Sequence, residues 1–317
     1  MAIPLFTDDD VRHKLDMPTA IEVMQQAFGR QAAGTLAAPA RLQADLEVGK
    51  LVFTTGAATD SPSCLGFRVY DVTQLHSPGR AELTAVFNTD DGGLKGMVVG
   101  PLLGALRTGA IGGVAIKWLS RPDARVLGIL GSGYQARTQL EAAVSVREFS
   151  EIHIHSRSVE RCAAFAEEAS KMTTAIVQSC PSAREVVEAA DVLICATASS
   201  VPVFDPAWLR PGVHINTIGP KFHSASELEA SVAGKAQRIV TDSLAQAAAF
   251  GEDFILYGSD DLARLVSLSD IISGNEPAPR AAEEISLFYS LGLAGTEVLL
   301  ANQLFELAAA ADDSPLK

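Results

Sequence analysis

Val126–Leu130 is an apolar run of strand type, and it ends on Gly131-Ser132-Gly133-Tyr134-Gln135-Ala136. A strand that breaks on G-x-G-x-x-A has few architectures open to it. The glycines let the main chain turn tightly and approach a ligand, and the small third residue lets the next helix pack closely. That helix would present its first N–H groups to a pyrophosphate. The stretch therefore predicts a parallel α/β unit that binds a dinucleotide.

The residues around it carry the same pattern. Strands are expected at Arg125–Leu130, Glu151–His155, Ala175–Gln178, Val192–Ala196, His214–Ile218 and Arg238–Thr241. Helices at Tyr134–Val146, Val159–Lys171 and Pro181–Ala189 fill the gaps, the alternation of a parallel sheet. The chain ahead of this region reads differently. Asp16 suits an N-cap and Pro18 a first turn, the apolar spacing that follows is helical, and Gly34 closes it. Short strands follow at Arg41–Leu46, Leu51–Thr55 and Gly66–Val72. Leu83–Asn88 and Leu94–Val99 flank Asp90-Asp91-Gly92-Gly93, a hairpin signal. Thr108–Leu119 reads as a bridging helix into the second region, and Thr296–Ala310 as a late amphipathic helix that returns to the first region or meets a partner subunit.

Length and charge narrow the function. A chain of 317 residues suggests two domains. A net charge of −13 argues against a nucleic-acid partner. Cys64, Cys162, Cys180 and Cys195 are scattered and form no metal-ligand spacing with the histidines, so no metal site and a reduced, cytoplasmic setting are expected. No signal peptide and no uninterrupted apolar run of spanning length is visible, so no membrane is expected.

The end of the second strand bears on the cofactor. An NAD-binding unit places an acidic residue there for the ribose 2′-hydroxyl. Here the residues are His155-Ser156-Arg157-Ser158, with no carboxylate. Arg157 can face a 2′-phosphate, with Ser156 and Ser158 donating to it. The reading is NADP(H) in preference to NAD(H).

Ala105-Leu106-Arg107-Thr108-Gly109-Ala110, followed by Gly131 through Gln139, resembles the ornithine cyclodeaminase/mu-crystallin family. Pro39-Ala40-Arg41, Asn216-Thr217-Ile218-Gly219 with Glu227-Leu228, Thr241-Asp242-Ser243 and Gly251-Glu252 extend the likeness over nearly the whole chain. The resemblance implies an α/β fold. A Rossmann-type dinucleotide-binding domain, residues 120–292, would be inserted in an α+β substrate-binding and dimerisation domain made of 1–119 and 293–317. It also implies hydride exchange between a nicotinamide and the alpha carbon of an amino acid or its imine, and a homodimer.

Carried over position by position, the resemblance assigns Thr108, Gly131, Ser132, Gly133, Tyr134, Gln135, Ala136, Thr197 and Ile218 to the dinucleotide, with Ser156, Arg157 and Ser158. Arg41 and Arg107 match arginines that bind the substrate carboxylate. Arg68 stands where many members carry a lysine close to the reacting nitrogen. A guanidinium keeps the charge but does not deprotonate near neutrality, so Arg68 suits carboxylate binding or electrostatic stabilisation better than proton transfer. Lys221 stands where cyclodeaminases place an aspartate. It is read as protonating an imine product, binding a second carboxylate, or lying in solvent. A diamino substrate would be repelled by it.

The expected activity is NADP(H)-dependent reduction of a small carboxylate-bearing imine, such as a cyclic ketimine, or the reverse dehydrogenation. One alternative is a redox-neutral ornithine or lysine cyclodeaminase that releases ammonia. Another is a non-catalytic NADP(H)-dependent binding protein like mu-crystallin.

Overall fold

The structure, a computed structural model, describes residues 3–312 apart from 75, 76, 78, 279 and 280. It divides into two compact units, one running to Arg107 and resuming at Leu293, the other Thr108–Gly292. The division falls inside a helix, whereas the sequence reading set the boundary after that helix.

The first unit opens with β1 (Leu5–Thr7), α1 (Asp8–Lys14) and α2 (Met17–Ala32). Asp16 caps α2 by accepting from the Thr19 N–H at 2.9 Å, and the helix buries Met24, Ala27 and Phe28. Then come β2 (Leu36–Ala37), β3 (Leu42–Leu46), β4 (Gly49–Ala58), β5 (Cys64–Asp71), β6 (Glu82–Phe87) and β7 (Leu94–Val99). They form one sheet in the order β1-β7-β6-β5-β4-β2, with β3 paired to β4. Only β1 on β7 is parallel.

Helix α3 (Leu102–Leu119) follows. By length and composition it is apolar enough to cross a membrane, but 78% of it is buried, as in a core helix. Within the second unit it lies tight against α4 (Tyr134–Val146): a methyl on Gly112 would meet the Gln139 amide at 2.1 Å.

The second unit continues as β8 (Val126–Leu130), α4, β9 (Glu151–His155), α5 (Val159–Ala169), β10 (Ile176–Ser179), α6 (Ala183–Ala189), β11 (Val192–Cys195) and β12 (His214–Thr217). A small ribbon of β13 (Lys221–Phe222) and β14 (Ala225–Ser226) precedes α7 (Ser231–Lys235) and β15 (Arg238–Thr241). Next are α8 (Leu244–Phe250), β16 (Leu265–Ser267), α9 (Leu268–Ser273) and β17 (Ser286–Tyr289). Eight strands make an all-parallel sheet, β10-β9-β8-β11-β12-β17-β15-β16. The chain runs outward from β8 through β9 to β10, then returns to β8's other side at β11. That reversal is the topological switch point at which such sheets bind dinucleotides.

The sequence reading did not anticipate β17. Its four residues are all buried, and it inserts between β12 and β15. Four residues carry too short a pattern to separate a strand from a core helix segment, and only two-sided pairing makes this one a strand.

The chain closes with α10 (Thr296–Asp312), which returns to the first unit and packs on α2 and on β4, β5 and β6. Close approach requires Gly56, whose added methyl would fall 2.1 Å from the Gly295 Cα.

Candidate functional site

In the first unit, β5 places Arg68 and Tyr70 on one face of the sheet, two residues apart. The Arg68 guanidinium lies over the Tyr70 ring at 4.2 Å from its centroid. Tyr70 is paired with Glu82 of β6, so the Glu82 carboxylate reaches the same guanidinium: Nε donates at 3.1 Å and Nη2 donates to the same Oε2. From α10 comes Glu297, 1% exposed, whose Oε1 accepts from Arg68 Nη1 at 2.7 Å and from Arg107 Nε at 2.8 Å. Glu82, Arg68, Glu297 and Arg107 thus form a chain of alternating charge. Gly104, on the first turns of α3, leaves room for it; a methyl there would meet Arg68 Nη2 at 2.7 Å.

Burial works against the charge of Arg68, but Glu297 and Glu82 reverse this and raise its affinity for the proton. Burial likewise favours a protonated Glu297, and Arg107 and Arg68 outweigh it, holding its carboxyl below the usual range. Arg68 is therefore a fixed cation already held by two carboxylates.

Arg107 differs. Its Nε is anchored on Glu297, its side chain is 12% exposed, and among the described residues its two terminal nitrogens have no hydrogen bond or ion pair. An anchored guanidinium with its outer fork open is suited to a carboxylate ligand. Arg41, half-buried, stands just ahead of β3. The Leu42–Phe53 register carried back one residue sets it opposite Thr54, which pairs with Arg68.

In the second unit, the loop after β8 has the form that the sequence predicts. Gly131 has φ +117°, and a methyl there would strike the Ala196 carbonyl at 2.4 Å. Gly133 is the N-cap of α4 with no side-chain cap, and a methyl on it would meet nothing within 4 Å. Arg137 Nη1 donates to the carbonyls of Ser132 and Gly133, at 3.0 and 3.1 Å, and so holds the loop from its acceptor side. Open space above uncapped helix N–H groups is the cradle that a pyrophosphate needs, so these residues fit a dinucleotide. Ala136 is fully buried, Ser132 and Gln135 line the turn, and Tyr134 is exposed.

At the end of β9, Ser132 Oγ donates to Ser156 Oγ at 2.9 Å, and Ser156 Oγ donates to the Ser158 carbonyl at 3.1 Å. The Ser158 hydroxyl caps α5 by accepting from the Arg161 N–H, and it donates to Glu160 at 2.9 Å. Arg157 is exposed and makes no hydrogen bond or ion pair among the described residues.

Thr108, on α3, is buried and its carbonyl accepts from Gln139 Nε2 at 3.0 Å. Thr197 and Ile218 follow β11 and β12, and one side chain ties them together. Glu227, fully buried, accepts from Thr197 N–H and Oγ1 at 2.9 and 2.8 Å through Oε2. Its Oε1 accepts from Thr217 Oγ1, Ile218 N–H and Gly219 N–H at 2.8, 3.1 and 2.6 Å.

Lys221 is where the structure revises the sequence reading most. It is 6% exposed, not in solvent. Its ammonium donates to the carbonyls of Ser290, Ile218 and Thr217 at 2.5, 3.3 and 3.5 Å. Three acceptors match three N–H donors, which leaves little for an imine or a second carboxylate. Sequence reasoning also gave no role to Glu82, Glu227 or Glu297. A signal existed for Glu297, the one acid in the first turn of α10, followed by the apolar run Val298–Ala301.

No group of three or more histidine, cysteine, aspartate or glutamate side chains among the described residues is placed to hold a metal ion. The profile of the ornithine cyclodeaminase/mu-crystallin family matches residues 4–312. A Delta(1)-pyrroline-2-carboxylate reductase of Bacillus cereus is 32% identical over 218 residues, 67% of this chain and 66% of that relative, so the match spans just under two thirds of its length. An alanine dehydrogenase of Archaeoglobus fulgidus is 28% identical over 96% of this chain and 94% of its own. The structure of Thermococcus litoralis Delta(1)-pyrroline-2-carboxylate reductase, in complex with NADH and L-proline, superposes with a TM-score of 0.88 at 28% identity, covering 99% of this chain and 100% of the other.

Proposed function

The chain belongs to the ornithine cyclodeaminase/mu-crystallin family, and on that premise we propose that it is an NADP(H)-dependent oxidoreductase. It reduces a small carboxylate-bearing imine to the amino acid, or runs the reverse dehydrogenation. The observation that carries this reading is Arg107, anchored through Nε on a buried glutamate with its outer nitrogens open. Such a fork orients a substrate carboxylate and so sets where the imine carbon lies. Arg41 supplies a second cation.

Arg68 acts through Glu297. It shares that carboxylate with Arg107 and so positions the fork, rather than touching the substrate. When bound, the reduced nicotinamide supplies the hydride. Neither Arg68, which stays charged, nor Lys221, whose protons are directed to carbonyls, is assigned the proton; it enters with the substrate as an iminium. NADPH is favoured over NADH because the end of β9 carries the uncommitted cation Arg157 and no acid. A second copy of the chain would cover β3 and the turn after it, where Leu42, Leu46 and Val48 are exposed; light scattering at the elution peak should give the mass of a dimer.

The test is oxidation of NADPH and, separately, NADH with five- and six-membered cyclic imino acids. Turnover should prefer NADPH. Arg107→Ala should raise KM by about 10–100-fold, the effect of losing charge-assisted hydrogen bonds to a carboxylate. Ammonia release from ornithine would establish the cyclodeaminase instead. Tight NADPH binding with no turnover on any imine would establish a binding protein.

A further inference from the structure

Glu227 is a fully buried charge beside the strand ends that follow the dinucleotide turn. The turn after β8 receives the pyrophosphate, and the end of β9 receives the adenosine ribose. The other mononucleotide then lies on the other side of the switch point, over the ends of β11 and β12. Those ends are where Glu227 gathers five donors: two from Thr197, and one each from Thr217, Ile218 and Gly219. The turn is pressed so close to its neighbour that a methyl on Gly219 would lie 2.3 Å from the Thr197 carbonyl. Lys221 holds the opposite polarity of the same turn, taking the carbonyls of Thr217 and Ile218.

Resting on the proposed dinucleotide site, we infer that Glu227 is a positioning residue for the nicotinamide half. Its carboxylate fixes the two strand-end loops against each other, and with them Thr197 and Ile218. Both oxygens act only as acceptors, and every donor is a neutral N–H or O–H. No cation among these partners could take over if the carboxylate were lost.

The inference predicts an effect confined to one half of the ligand. Dissociation constants would be measured by fluorescence and calorimetry for the reduced dinucleotide that the protein binds and for its adenosine half. The probes are NADPH with 2′,5′-ADP, or NADH with ADP. Glu227→Gln puts an NH2 group against donors. It should weaken the dinucleotide about tenfold or more, the scale of a lost charge-assisted bond, and leave the adenosine half within about twofold. Thr217→Val, which removes a single hydroxyl donor from Glu227, should weaken the dinucleotide about threefold and keeps the test open if Glu227→Gln does not fold. Equal weakening of both ligands, or of neither, overturns the inference. A wild-type protein that binds neither dinucleotide overturns the dinucleotide reading and the inference together.

Discussion

Glu297 and Glu227 are both carboxylates sealed from water, 1% and 0% exposed, and the two units hold them in opposite ways. In the first unit the partners are cations, Arg68 and Arg107, within 2.8 Å. In the second they are five neutral donors, three of them main-chain N–H groups. An ion-paired cluster has matched charges that must be removed together to stay balanced. A carboxylate held by main-chain donors instead fixes the backbone that supplies them. The first design holds a side chain, Arg107, by its Nε. The second holds two strand-end loops together.

The largest expected effect tests the ion-paired half. Glu297→Ala leaves two buried guanidiniums short of an anion and should cost about 3–5 kcal/mol in chemical denaturation. Combining it with Arg68→Met should cost less than the sum of the two single changes, because the two lost charges are direct partners and the net charge of the cluster is then unchanged, although Glu82 and Arg107 each lose a neighbour. Simple additivity would break the account of the cluster as one charge-balanced unit.

A smaller effect tests the hydrogen-bonded half. His214 of β12 is fully buried, with Nδ1 against Ser286 Oγ at 2.9 Å and Nε2 against Asn216 Oδ1 at 2.8 Å. Burial lowers its pKa to about 4, from a model-peptide value near 6.5, against the raising influence of Asn216. Between those values the unfolded chain binds the extra proton and the folded chain does not. Stability is therefore fully present above pH 6.5 and is lost as pH falls toward 4, by about 3 kcal/mol at most. Glu297 adds loss of the same sign, since its folded carboxyl is held low and its protonation in acid removes the ion pairs. Denaturation curves from pH 7 to pH 4 should show this slope, and His214→Gln should flatten it. An unchanged slope in that variant would remove His214 as its source, since Glu297 loses its contribution only below its ordinary value of 4.5.

The smallest effect belongs to the charge left in water. Arg157→Ala should leave stability unchanged within about 0.5 kcal/mol, as for an exposed surface position. It should weaken NADPH by about 10–100-fold and NADH hardly at all. Equal affinity of the variant and the parent for NADPH would remove Arg157 from the cofactor site and leave the missing acid as the only argument for the phosphate.

Much of the second unit was legible because its signals are local. The strand, glycine turn and helix at 126–146 depend on residues adjacent in the chain, and Tyr134–Val146 lies where the spacing places it. The antiparallel hairpin at 82–99 was legible for the same reason. Helix α3 was not, over its first six residues. It starts at Leu102, six residues before the expected Thr108, because Gly104 lowers the local helical preference and tertiary packing overrides it.

By itself, the sequence determined the alternation of strands and helices from β8 to β12, the dinucleotide turn and the identity of the cations. Periodicity and glycine sterics act within a few residues, so they survive without knowledge of the fold. Only the tertiary structure decided what those cations do. Arg68 meets Glu297 across 229 residues of chain, and Lys221 meets the Ser290 carbonyl across 69. Lys221, read from its sequence position as a proton donor to an imine, a ligand of a second carboxylate or a solvated side chain, is in the folded protein held by three carbonyls. The reason is that a charge taken out of water must find partners, and which partners lie within reach is set by how strands and helices from distant parts of the chain are brought together.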